Sequence, residues 1–181
     1  MLRVFSGVFL LLLTLVVAIP PVISGEHAKP VDLPLTDLHG KRVRLRDYRG
    51  KIVVLNFWAT WCGPCNQEMP LLVSVEKEYS ARGVIFLGAS LDDSKTEEHI
   101  PDFLRKYHVQ FPILLGATAD NLEKLRLGQG VPATAFIDRE GMVAARVSGE
   151  IREQEIRQRL DWLLGDRSVP PPPRFVDHVG H

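Results

Sequence analysis

Two almost unbroken apolar runs, Ile52 to Trp58 and Val84 to Ser90, stand out against segments whose apolar positions alternate or recur at helical spacing. Short runs of this kind, rich in β-branched and aromatic residues, predict strands buried on both faces. Between them, Leu72, Val75 and Tyr79 fall on one face of a helix expected to run from just behind Cys65 to about Arg82. Pro70 lies inside that helix and should kink it by deleting one backbone hydrogen bond. Upstream, Leu33 to Thr36 and Val43 to Leu45 flank Asp37-Leu38-His39-Gly40 and read as a β-hairpin, with His39 a polar turn residue. Downstream, Asp92-Asp93 reads as a solvated loop and N-cap. Ser94-Lys95-Thr96-Glu97 has the pattern of a capping box, opening a helix that Pro101 breaks or restarts and that ends near His108. Phe111 to Leu115 returns to the sheet, and Asn121 to Leu127 is a short helix. Gly130 to Asp138 contains a further strand, and Asp138-Arg139-Glu140-Gly141 turns into Met142 to Val147, expected at the edge of the sheet. Ile156, Leu160, Leu163 and Leu164 mark a last amphipathic helix. Strands and helices alternating in this way predict an α/β three-layer sandwich.

Composition sets the bounds of that domain. A chain of 181 residues with 45% apolar content can bury one ordinary core. Lysine plus arginine equals aspartate plus glutamate at 22 each, so charge points neither to nucleic acid nor to an anionic surface as partner. Residues 1–25 are read as lying outside the fold. Arg3 is a basic leader, Val4 to Ile19 is apolar apart from Ser6, Gly7 and Thr14, and Pro20-Pro21 ends any helix. This is the layout of a secretory signal peptide, with Val22-Ile23-Ser24 before Gly25 as the cleavage region. The alternative is an uncleaved membrane anchor through residues 4–23. Val4 to Ile19 alone would span about 24 Å as a helix, short of a bilayer core of roughly 30 Å. Either way the body, residues 26–165, is expected to be exported. Residues 166–181, with Pro170 to Pro173, are expected to form an extended, flexible tail.

The chemistry gathers where the first apolar run ends. The chain holds two cysteines, Cys62 and Cys65, immediately ahead of the amphipathic segment. Gly63 and Pro64 separate them, and Pro64 suits the first turn of a helix. Cys62 is thus expected at a helix N-terminus, whose partial positive charge favours the thiolate. It should be the exposed attacking sulfur, and Cys65, one turn inside, the buried resolving one. A bridge between them closes too small a loop to stabilise the fold much, so a redox couple is expected rather than a staple. A structural zinc site lacks a second ligand pair, and haem attachment would need His where Asn66 stands. A peroxidase cysteine would sit in a Pro-x-x-x-Thr-x-x-Cys loop, whereas Thr60 is two residues before Cys62. Soft thiolates also suit Cu(I), but no methionine-rich or spaced histidine set accompanies them. Glu68 lies three positions beyond Cys65 and therefore on its side of the helix. It reads either as an exposed first-turn carboxylate or as a proton acceptor beside the thiols.

Phe57-Trp58-Ala59-Thr60-Trp61-Cys62-Gly63-Pro64-Cys65 resembles a thioredoxin active site. With Asn66-Gln67-Glu68-Met69-Pro70 added, the stretch is similar to the TlpA/ResA-like envelope thioredoxins, a group that includes the cytochrome c biogenesis thioredoxins. The resemblance runs from about Leu33 to Leu164. It implies a thioredoxin fold with an N-terminal hairpin and a central insert, and a redox-active Cys62–Cys65 disulfide with no cofactor or metal. It also implies a cis-proline at Pro132 packed on that disulfide. Val131 would offer its backbone to an extended substrate, and Gly63, Pro64 and Trp61 would contact it, with Trp58 and Phe57 framing the site. In the family Glu68 is an acid/base partner of the cysteines. Thioredoxins carry an aspartate six residues before the first cysteine, where this chain has Asn56, which leaves Glu68 as the candidate to deprotonate Cys65. The implied activity is reduction of protein disulfides in the bacterial envelope or periplasm, such as apo-cytochrome c thiols. The implied electron donor is a membrane thiol reductase. A disulfide-donating oxidase or isomerase is the alternative, and a copper-handling thiol chaperone a more distant one.

Overall fold

The computed structural model describes residues 30–166, 168 and 170–179. The expected signal peptide or anchor lies outside these residues. Among the described residues no helix is long and apolar enough to cross a membrane.

The first apolar run is the central strand. β3 (Ile52–Trp58) is buried along its whole length, with β4 (Val84–Ser90) parallel on one side and β6 (Ala133–Ile137) antiparallel on the other. Because neighbouring side chains point to opposite faces, β3 feeds two cores. Ile52, Val54 and Trp58 pack with Met69, Leu72, Val75 and Tyr79 of α1 (Gly63–Ser80). The same core takes Phe103 of α2 (Ile100–Tyr107), and Ile156 and Leu160 of α4 (Glu153–Leu164). Val53, Leu55 and Phe57 face the other way, against Leu35, Leu45 and Leu122, the last from α3 (Ala119–Lys124). Helices therefore cover both faces, giving the expected three layers.

The hairpin is present as β1 (Pro34–Asp37) and β2 (Arg42–Arg44), and β1 also pairs antiparallel with β5 (Ile113–Leu115). β7 (Val143–Ser148) follows β6, and the sheet has eight strands in the order β2-β1-β5-β4-β3-β6-β7-β8. α1 continues through Pro70, whose side chain is exposed.

Three expectations need correction. Ser94 does not open a capping box. Asp93 takes that place, accepting the Lys95 N–H at 2.9 Å, and Pro101 sits in the first turn of α2 behind a short 3-10 turn at Glu97–His99. Pro101 starts the helix instead of breaking it, since the first turn needs no donor there. Asp92 is not solvated but 4% exposed. Finally, β7 is not an edge and the tail is not free. β8 (Phe175–Asp177) lies parallel on β7, pairing Arg146 with Phe175 and Ser148 with Asp177. The open edge of β7 offers unpaired backbone groups, and the tail satisfies them. The proline segment lacks donors but keeps its carbonyls, and those of Pro170 and Pro173 accept hydrogen bonds from Gln158 and Arg159 of α4.

Gly88 shows how tightly the strands and helices close over β4. A Cβ there would lie 2.7 Å from Ile113 Cδ1 and 2.9 Å from Trp58 Nε1. Gly88→Val is therefore expected to destabilise the fold by about 1–3 kcal/mol through overpacking, read as a lower denaturation midpoint at unchanged m-value.

Candidate functional site

β3 ends at Trp58, and four residues later the chain enters α1. Cys62 is the N-cap, with φ −85° and ψ 110°, and its sulfur accepts the Cys65 N–H at 3.2 Å. A donor that would otherwise be orphaned at the helix end is thus spent on the sulfur. The Cys62 carbonyl accepts from the Asn66 side-chain amide at 2.8 Å, and Tyr107 in turn donates to Asn66 Oδ1 at 2.8 Å. Cys62 and Cys65 are joined by a disulfide. The expectation that Cys62 is exposed needs correction: it is 5% accessible, against 0% for Cys65. The order of access survives: Cys62 is the more accessible of two buried cysteines.

The loop ahead of it is held by a residue that sequence reasoning missed. Asp92 Oδ1 accepts the Thr60 hydroxyl at 2.5 Å, and Oδ2 accepts the Thr60 N–H at 3.0 Å and the Ser90 hydroxyl at 2.7 Å. The only signal was its place at the end of a buried strand. Of the aromatics expected to frame the site, Trp58 packs in the same core as the two cysteines, whereas Phe57 faces the opposite core and is corrected. Trp61 stands out at 61% exposure.

The Val131–Pro132 peptide bond is cis, as expected. Pro132 comes just before β6, where its missing N–H breaks no ladder bond. Val131 is half-buried, and its carbonyl oxygen is 3.5 Å from Cys62 Sγ. On the far side, the Pro132 carbonyl accepts the Gly149 N–H at 2.9 Å. Gly63 and Pro64 are exposed in the first turn of α1.

Glu68 is 1% exposed, so the exposed-carboxylate alternative does not hold. Its Oε1 accepts from Asn56 Nδ2 at 2.6 Å and its Oε2 accepts the Ile151 N–H at 2.9 Å. Burial outweighs these two bonds and pushes the carboxyl up to about 7. Asn56 also donates to Thr134 Oγ1 at 3.1 Å, while its Oδ1 has no partner. An amide flip would turn that free carbonyl toward a protonated Glu68, so one side chain suits both states of the carboxyl. Among the described residues no group of three or more His, Cys, Asp or Glu is placed to hold a metal ion.

The sequence matches the AhpC/TSA family over residues 24–146. It is 35% identical to the thiol-disulfide oxidoreductase ResA of Bacillus subtilis over 139 residues, 77% of this chain and 76% of that protein. The chain belongs to the AhpC/TSA family. Within it, ResA of Geobacillus thermodenitrificans is also 35% identical, over 73% of this chain and 74% of that one. Among solved structures, DsbF from MTB in its mixed oxidized and reduced forms superposes with a TM-score of 0.62 at 28% identity. The match covers 72% of this chain and 94% of that one. The thioredoxin domain of a thiol-disulfide oxidoreductase from Bacteroides vulgatus gives 0.61 at 25% identity, over the same shares. The fold is the thioredoxin fold, and this AhpC/TSA-family protein is a ResA-like thiol-disulfide oxidoreductase with Cys62 and Cys65 as its cysteine pair.

The raised Glu68 carboxyl also links stability to pH. Between the ordinary carboxyl range and about 7 the folded chain holds a proton that the unfolded chain has released. That contribution is complete below about 4.5 and disappears as pH rises through about 7. Glu68→Gln should therefore flatten the fall in denaturation midpoint that the wild type shows across this window.

Proposed function

We propose that this protein is an exported reductant of protein disulfides in the cell envelope, with apo-cytochrome c thiols in their disulfide-bonded form among its substrates. The observation that carries the reading is Cys62 Sγ at the N-cap of α1, taking the Cys65 N–H and facing the Val131 carbonyl. The helix end stabilises negative charge on that sulfur. In the reduced protein the Cys62 thiolate attacks one sulfur of a substrate disulfide, and the other substrate sulfur leaves as a thiolate and takes a proton. Cys65 then loses its proton, attacks Cys62 Sγ, and expels the second substrate thiolate. Two electrons have passed from the Cys62–Cys65 dithiol to the substrate.

Glu68 is the acceptor for the Cys65 proton. It lies one turn along the same helix, and with its carboxyl near 7 it can take or return a proton at neutral pH. Val131 and the cis-proline Pro132 receive the extended substrate, while Trp61, Gly63 and Pro64 form the opposite lip. No cofactor or metal is required, since the disulfide itself carries the electrons. The apolar stretch Val4 to Ile19 supports export, either as a cleaved leader or as an anchor. A membrane thiol reductase would return the disulfide to the dithiol. The reducing direction is supported by Gly63-Pro64 between the cysteines, the pair that this site shares with thioredoxin.

The reduction potential tests the direction. A value near about −270 mV is expected, and one near about −120 mV would make the protein a disulfide donor instead. Cys65→Ser should accumulate a mixed disulfide between Cys62 and its substrate, visible on non-reducing gels, and Cys62→Ser should form none.

Glu68→Gln should leave formation of the mixed disulfide intact. It is expected to slow its resolution by about 10²-fold and to remove the rise in that rate near pH 7, both measurable by stopped flow.

A further inference from the structure

The C-terminal segment passes beside the cis-proline loop at His178 and Val179. After β8, the His178 N–H donates to the Ser148 carbonyl at 2.8 Å, and His178 Nε2 lies 2.9 Å from Glu155 Oε2 on α4. The next residue after Ser148 is Gly149, whose N–H holds the Pro132 carbonyl. Gly149 has φ +87°, and a Cβ there would lie 3.0 Å from His178 Cβ and 3.3 Å from the Val179 nitrogen. Only glycine meets both demands, the left-handed backbone and the close approach of the tail. The tail and the cis-proline are thus gripped from either side of one short stretch, Ser148-Gly149.

Between them runs an open groove of about 510 Å³. Pro64, Val131 and Pro132 line it, together with Glu150, Arg152, His178 and Val179. Val179, which lines this groove, is 59% exposed, one of the large apolar side chains open to solvent among the described residues. Its N–H donates to Asp177 Oδ1 at 2.9 Å, so the backbone that carries it is tied down.

We propose that Val179 is a specificity-determining residue of the reaction. In this assignment the tail extends the substrate surface beyond the cis-proline and selects an extended substrate segment with an apolar side chain close to its cysteine. The assignment rests on the thiol-disulfide exchange described above. The occupant is a segment of the substrate protein because the groove is lined by Val131, whose carbonyl oxygen is 3.5 Å from Cys62 Sγ, and by Pro64 two residues beyond that cysteine. An apolar substrate side chain is the one that gains from covering Val179, Val131 and Pro64 together.

Two disulfide probes and two variants of the full-length protein test this. The first probe is a ten-residue peptide homodimer linked through single cysteines flanked by leucines, with a serine-flanked peptide as its partner. The second is hydroxyethyl disulfide, too small to reach the tail. The wild type should favour the leucine peptide over the serine peptide. Val179→Asp should lower kcat/KM for the leucine peptide about five- to tenfold and abolish that preference, leaving hydroxyethyl disulfide within twofold. Val179→Leu should keep the preference. An equal loss on all probes would place the effect at the cysteines or in the fold and overturn the assignment, as would no change, or a gain, with the leucine peptide. A wild type that reduces neither kind of probe would overturn the exchange reaction itself, and the assignment with it.

Discussion

β3 has to satisfy two cores at once, and the active site is a consequence of how it does so. Its odd-numbered side chains, Val53, Leu55 and Phe57, fill one core, and Ile52, Val54 and Trp58 fill the other. On that second face the position between Val54 and Trp58 is Asn56, a polar residue 2% exposed. A buried amide must be hydrogen-bonded or it costs stability. Its partners are Glu68 and Thr134, so β3, α1 and β6 meet at one polar contact. The same strand then delivers Cys62 to the N-terminus of α1.

The polar network is built to leave a carboxyl in the neutral range. Two donors lower the Glu68 carboxyl and burial raises it, with burial the larger effect. A solvent-exposed Glu at the same place in the helix would stay ionised and would be a poor acceptor for a thiol proton. Burial sets the carboxyl near neutrality, and the Asn56 amide and the Ile151 N–H are the donors that satisfy its two oxygens. The loop on the other side is stabilised by a different carboxylate, Asp92, which is committed to Thr60 and Ser90 and takes no part with the sulfurs.

The outer half of the sheet links the site to the C-terminal segment Phe175–Val179. Pairing β8 to β7 covers an edge, and it also fixes where His178 and Val179 emerge. Gly149 joins this edge to the cis-proline through one backbone hydrogen bond. The covered sheet edge and the cis-proline loop thereby share the same few residues.

Much of this was legible in the residues alone. The almost unbroken apolar runs fix β3 and β4, because burial on both faces leaves little room for polar alternation. The Cys-Gly-Pro-Cys spacing at a strand-to-helix junction identified the redox pair, since the helix N-terminus acts through local backbone geometry. Local pattern could not say that Asp92 and Glu68 are buried, because burial of a charged residue depends on groups distant in sequence: Thr60 for the first, Asn56 and Ile151 for the second. Nor could it place the tail. Three residues of strand carry almost no periodicity, and their pairing is decided by the open edge of β7, which exists only once the sheet has formed. Sequence by itself determined where the chemistry starts; tertiary structure decided that Glu68 is buried with its carboxyl raised and that the tail lies along β7, because both depend on groups far apart in the chain.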